Sequence, residues 1–321
     1  MPDVDELIAI LARYPQPVRQ LNWVTLNDSG GLSGATVYRG NLGTGPLFCA
    51  KRYPLSTDLN DISQRHRWLE IAAHAGLSFV PRLLPTITGE TTATHAGHIW
   101  ELHDWMPGRA DFTIRPTQAK LIDACTAVIR LLDVWRGIGT RFEPSRAVSN
   151  RIALLATWRH DPPSNSPYLS TSINIRARAA IARHIDDAES QLLPWAGIPL
   201  LCQPCIRDLR HDHFLFDADR LSGLIDFGVA NWDNPATDAA RMLGELAWNQ
   251  PYLYEFGLEH FSQGFDSDNG SPKLIRPLDT ASTIGSIIHW LHRLRNPLPF
   301  PMEIVEARFV QLVLKLERTG N

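Results

Sequence analysis

Lysine is scarce: of the 31 basic side chains in this chain of 321 residues, only Lys51, Lys120, Lys273 and Lys315 are lysine. Cysteine is scarce as well. Cys49, Cys125, Cys202 and Cys205 are too few for a disulfide framework in a chain of this size, so reduced thiols are expected. Cys202 and Cys205 have C-x-x-C spacing, but no second pair completes a zinc site. There is no excess of basic charge. The net charge of -3 and pI near 6.5 provide no stripe to neutralise a phosphate backbone, so neither nucleic acid nor a membrane surface is an expected partner. Long apolar runs are missing too: none approaches the ~18 residues of a spanning helix. The first fourteen residues carry Asp3, Asp5 and Glu6 where a secretion signal needs positive charge, and the chain is expected in the cytoplasm, without membrane insertion. No G-x-x-x-x-G-K-[ST] phosphate loop, internal repeat or low-complexity tract occurs. What is present is 44% apolar and 20% charged, enough to bury a sizeable core.

The pattern changes character once along the chain. Leu7, Ile8 and Leu11 mark a short amphipathic helix, and Leu21–Leu26, Ala35–Arg39 and Leu47–Tyr53 read as strands separated by glycine-bearing turns. Between Ser56 and Ala75, Leu59, Ile62, His66, Leu69 and Ala73 recur at helical spacing, with Ser56 or Thr57 as cap and Gly76 as stop. A hairpin over Thr86–Thr94 leads into the apolar run Ile99–Leu102. From Thr117 the stripe Leu121, Ile122, Cys125, Val128, Ile129, Leu132 and Trp135 predicts a long helix, and helices dominate from there. Asp161–Ser172, rich in Pro and Ser, reads as a loop or lid, and a strand–loop–strand unit occupies 199–230. An α+β chain results, with a boundary near Asp104–Gly108 that divides residues 1–103 from 104–321.

Chemistry-bearing residues concentrate in two places. Asp208 in Ile206-Arg207-Asp208-Leu209-Arg210-His211-Asp212-His213 is followed by His213 five residues on and by Asp226, in Asp226-Phe227-Gly228, eighteen residues on. Phosphoryl transfer needs a carboxylate beside the attacking hydroxyl and another to hold Mg²⁺, and a loop between strands can present both. Upstream, Gly30-Gly31-Leu32-Ser33-Gly34 lies between strands, where glycine allows close backbone approach to a phosphate. Lys51 then stands on the third strand, in a chain that otherwise prefers arginine, as if a compact ammonium were required.

Together these segments resemble the aminoglycoside phosphotransferase and choline kinase-like family, and the catalytic loop is also similar to that of lipopolysaccharide-core sugar kinases. The resemblance spans roughly residues 21 to 245. It implies a bilobal protein-kinase-like fold, with a small antiparallel-sheet N-lobe and a larger, mainly helical C-lobe. It also implies ATP and Mg²⁺ as cofactors and a small-molecule hydroxyl as acceptor. In that pattern Asp208 is the catalytic base, and Asp226 with His213 holds metal. Gly30, Gly31, Ser33, Gly34 and Lys51 hold phosphates, and Asp104, Trp105 and Met106 form the hinge that pairs with adenine. Asp238 looks like the aspartate that opens the next helix and braces the catalytic loop, with helix capping as its main structural role.

Three positions depart from the pattern. Ile206 stands where family members commonly have His, and His213 where an Asn is expected. The helix after Lys51 shows Gln64 and Arg65 near the turn that should offer a Glu, with Asp58 and Asp61 earlier and Glu70 later. These departures keep a catalytically silent nucleotide-binding or interaction protein open as an alternative to a kinase. An envelope glycan sugar kinase would share the chemistry and differ only in acceptor.

Overall fold

The structure, a computed structural model, describes residues 2–26, 34–43, 45–265, 271–296 and 302–319. The chain forms two compact units, Met1–Asp111 with Asp212–Ala230, and Phe112–His211 with Asn231–Asn321.

The first unit is built on a five-stranded antiparallel sheet in the order β1-β2-β3-β5-β4. Its strands are β1 (Asn22–Thr25), β2 (Thr36–Leu42), β3 (Gly45–Arg52), β4 (Ala93–His95) and β5 (His98–Asp104), with helices α1 (Pro2–Leu11), α2 (Gln16–Arg19) and α3 (Leu59–His74). Successive strand residues face opposite sides, so the register decides what each face carries. Tyr38, Ala50, Trp100 and Leu102 join Leu7, Ile10, Leu11, Tyr14 and Val18 of α1 and α2 and the turn between them in one apolar cluster. The inward stripe of α1 is therefore Leu7, Ile10 and Leu11. Ile8 of the expected stripe points to solvent, one position off the three-four repeat. The other face of β3 and β5 carries the register partners Cys49 with His103 and Lys51 with Glu101. α3 reaches this chain through the small cluster Tyr53, Ile62 and Ile99. Its cap is Asp58, whose carboxylate accepts the Asn60 N–H, rather than the expected Ser56 or Thr57. The hairpin of β8 (Phe214–Asp217) and β9 (Arg220–Leu224) belongs to this unit and is tied to it by the Leu224 N–H bond to the Phe79 carbonyl at 2.7 Å.

The second unit contains helices α4 (Gln118–Arg136), α5 (Arg146–His160), α6 (Thr171–Leu192), α7 (Ala236–Leu246), α8 (Pro251–Gly264), α9 (Ser271–Arg293) and α10 (Met302–Arg318). A small sheet ordered β10-β7-β6 joins β10 (Asn231–Asp233), β7 (Pro199–Cys205) and β6 (Arg141–Pro144). Leu121, Cys125, Val128, Leu132 and Trp135 of α4 are buried as their spacing predicts, and α9 packs against α5, α6, α7 and α10. Asp238 is not the cap of α7, a position held by Pro235; it sits in the first turn and sends its carboxylate to another segment. Cys202 and Cys205 both lie on β7, where residues three apart face opposite sides. Their thiols accordingly go to different partners, the carbonyls of Glu143 and Asp233. Among the described residues no helix is long and apolar enough to cross a membrane.

Candidate active site

In the first unit Lys51 is the organising residue. It leaves the sheet on the face opposite the apolar cluster, and its Nζ lies 3.1 Å from Asp226 Oδ1 and 5.3 Å from the centre of the Tyr53 ring. Asp226 follows β9 and has a φ of +64, a left-handed conformation that costs an L-residue of this kind about 1–2 kcal/mol. Its Oδ1 also accepts the Gly228 N–H at 3.3 Å. A side chain at Gly228 would begin 3.1 Å from that oxygen and 3.4 Å from the lysine nitrogen, so the glycine keeps the pair accessible. Burial opposes charge at both groups. The lysine nonetheless holds the Asp226 carboxyl down at about 2, with help from His213, and Asp226 and Glu101 raise the Lys51 ammonium above its ordinary value. The pair is fully ionised at neutral pH.

His213 is buried, with Nε2 at 3.7 Å from Asp226 Oδ2 and 3.8 Å from Asp212 Oδ1. Among the described residues no group of three or more His, Cys, Asp or Glu side chains is gathered to hold a metal by itself. A half-exposed ionised carboxylate with one neighbouring imidazole fits a different arrangement, in which Mg²⁺ takes one or two carboxylates and completes its shell with substrate phosphates and water.

The expected hinge follows directly from β5. The Asp104 and Trp105 amides are spent on the carbonyls of Arg82 and Leu47, at 3.0 and 2.9 Å. Among the described residues the Met106 amide takes no such bond, and the Met106 side chain is buried. Gly34 precedes β2 with a φ of +69. Gly30, Gly31 and Ser33 lie outside the described residues.

Asp208 belongs to the second unit, on the loop after β7. That loop is pinned from α7: fully buried Asp238 accepts the Ile206 N–H at 2.7 Å on one oxygen and the Arg207 N–H at 2.6 Å on the other. Arg207 is thereby held at a φ of +72. Burial drives the Asp238 carboxyl up to about 7, against the pull of those two amides. Ile206 is fully buried, so packing and Asp238 steady the loop where a histidine contact was expected.

Sequence reasoning missed Arg241 and Glu245. Arg241 donates to Asp208 Oδ1 from Nε at 3.3 Å and from Nη2 at 3.1 Å, while its Nη1 meets Glu245 Oε1 at 3.0 Å. His211 Nδ1 lies 3.0 Å from the other oxygen of Glu245. Burial works against the Glu245 charge, but Arg241 and His211 hold its carboxyl far below the ordinary range. The signal was in the spacing: Asp238, Arg241 and Glu245 fall at i, i+3 and i+7 of an otherwise uncharged helix, one face of charge.

The phosphotransferase enzyme family matches this chain over residues 25–270. Among solved structures, a spectinomycin phosphotransferase in complex with ADP and spectinomycin superposes with a TM-score of 0.71 at 12% identity, covering 98% of each chain. An amicoumacin kinase in complex with AMP-PNP, Ca²⁺ and Ami gives 0.64 at 13% identity, covering 99% of this chain and 93% of the other. A choline/ethanolamine kinase family protein from Mesorhizobium loti gives 0.61 at 17% identity, with 98% and 95% covered. No curated protein matches. The antiparallel sheet of the first unit and the helices of the second are those of the protein-kinase-like fold these structures share.

Proposed function

Because the chain belongs to the phosphotransferase enzyme family, we propose that it moves the γ-phosphoryl of ATP onto a hydroxyl of a small molecule. The observation that carries this reading is the ionised pair of Lys51 and Asp226 at 3.1 Å, with the aspartate kept in a strained backbone conformation. Lys51 and the glycine-bearing segment 30–34 bind the nucleotide phosphates, and the Met106 amide, which takes no backbone bond among the described residues, donates to adenine. Asp226, with His213 beside it, holds Mg²⁺. When bound, the ion neutralises charge on the phosphate oxygens. Asp208 orients the acceptor hydroxyl and takes its proton, with Arg241 fixing the carboxylate from one side.

The complexes of the relatives with ADP and AMP-PNP support nucleotide binding here, and the ligands spectinomycin and Ami of those proteins support an acceptor of small-molecule size. A second reading, a nucleotide-binding protein without turnover, draws on the Arg241 guanidinium that already occupies Asp208 Oδ1. Phosphate release from Mg²⁺-ATP separates the two. Slow release by the wild type that Asp208→Ala reduces by a factor of ~10²–10⁴ supports transfer. Equal release by both proteins removes Asp208 from the mechanism.

A further inference from the structure

Lys51 needs a carboxylate that it does not share with metal, and α3 does not supply one. Asp58 caps that helix, Asp61 pairs with Arg65 at 3.6 Å, and Glu70 comes later on the helix. The residues that α3 buries over its first three turns are Ile62, His66, Trp68 and Leu69.

We propose that Glu101 of β5 is the positioning carboxylate of Lys51, and that His66 is the α3 residue that fixes it. The proposal rests on Lys51 as the phosphate-binding lysine. Lys51 and Glu101 are register partners of an antiparallel pair, so their side chains leave the same face of the sheet as neighbours. Glu101 is only 7% exposed. Its Oε2 accepts the Tyr53 hydroxyl at 2.9 Å and lies 2.7 Å from His66 Nε2. Among the described residues, its Oε1 takes no hydrogen bond. His66 in turn has its Nδ1 at 2.8 Å from the Thr91 hydroxyl, so an imidazole that donates from Nε2 to the carboxylate accepts from Thr91 at Nδ1. Tyr53 closes the group. Its ring lies beneath the Lys51 ammonium while its hydroxyl bonds Glu101.

The electrostatics agree with this geometry. Burial alone would raise the Glu101 carboxyl, but the His66 hydrogen bond first, then His103 and Lys51, bring it down to about 2. It is a fixed anion on the sheet side of the lysine, whereas Asp226 is half-exposed and is the residue assigned to metal. A buried, doubly hydrogen-bonded carboxylate beside Lys51 in the register attracts the ammonium by charge toward the sheet side whether or not Asp226 is engaged elsewhere.

The test is the dissociation constant for ATP, measured by calorimetry on the full chain with and without Mg²⁺, together with the KM and kcat of ATP hydrolysis. Glu101→Gln should weaken ATP binding roughly tenfold in both conditions, the size of one contact to a charged group, and raise KM more than it lowers kcat. The double variant His66→Glu with Glu101→Gln returns the carboxylate from the helix side and should recover most of the loss, which a merely structural role would not do. Circular dichroism checks folding. If Glu101→Gln does not fold, Glu101→Asp keeps the charge and draws it back by one methylene, and should bind ATP more weakly than wild type. Wild-type affinity in Glu101→Gln, or in Glu101→Asp if that variant is the one measured, overturns the proposal. So does a double variant no better than Glu101→Gln. A wild type that binds no ATP overturns the nucleotide reading itself and this proposal with it.

Discussion

Of the four non-glycine residues with left-handed φ among those described, Ala96 and Ala218 sit in hairpin turns, while Arg207 precedes Asp208 on its loop and Asp226 pairs with Lys51. A turn accommodates such a residue cheaply, because nothing but the chain direction depends on it. At Asp226 the backbone is held by the Lys51 ion pair and the Gly228 amide, and the carboxylate is thereby aimed outward. Replacing Asp226 removes the same ion pair whatever replaces it, so the backbone contribution can be isolated. Asp226→Gly should be more stable than Asp226→Ala by about 1 kcal/mol, since only glycine adopts this φ without cost. Urea unfolding of the two variants measures the difference. Equal midpoints would show that no strain is stored there. Lys51 was legible in the sequence because a lysine is rare in this chain, and Asp226 because of its spacing from Asp208. Glu101 was not: it lies inside the apolar run Ile99–Leu102, and only the cross-strand register reveals it as the neighbour of Lys51.

Helix α7 ties the Asp208 loop to the second unit. Asp238 satisfies two backbone amides, one buried and one part-buried, one with each oxygen, and Arg241 one turn on reaches Asp208. Asp238→Asn puts an NH₂ group where an acceptor is required, leaving one N–H unpaired. It should cost about 1–3 kcal/mol in urea unfolding and lower turnover as the loop loses its brace. A loss of only a few tenths would mean the loop is held by packing alone. The same element shows why part of the site stayed hidden in the sequence. An aspartate near a helix start reads as a cap, yet here Pro235 begins the helix and the side chain serves a segment some thirty residues earlier. Long apolar stripes such as that of α4 were legible, because burial of one face fixes the period. Strand β6 was not: it has four residues, ends in Pro144 and leaves Phe142 largely exposed. Its place is set by pairing with β7, which no local pattern announces.

At the scale of the molecule, the chain is not divided once. The segment Asp212–Ala230 returns to the first unit, so Asp208 and Asp226, eighteen residues apart, belong to different units. Such an exchange depends on contacts distant in sequence, and residue patterns do not show it. Acid stability supplies a whole-molecule test. Glu101 has a folded carboxyl value of about 2 against an ordinary 4.5, a depression, so it stabilises the fold above about 4.5 and that contribution is lost as pH falls toward 2. The wild-type urea midpoint should therefore exceed that of Glu101→Gln at neutral pH, and the gap should shrink steadily below pH 4.5. A gap independent of pH would mean that the carboxylate is not stabilised as an anion. The central claim, a Mg²⁺-ATP site built on Lys51 and Asp226, is tested most directly by the thermal shift of the full chain with ATP, with and without Mg²⁺. Ligand at ~100 times its Kd adds about 2.7 kcal/mol to the native state, a shift large enough to read. The account predicts a Mg²⁺-dependent rise that Asp226→Asn abolishes and Lys51→Ala weakens. No rise in the wild type under any condition, or an undiminished rise in Asp226→Asn, would contradict it.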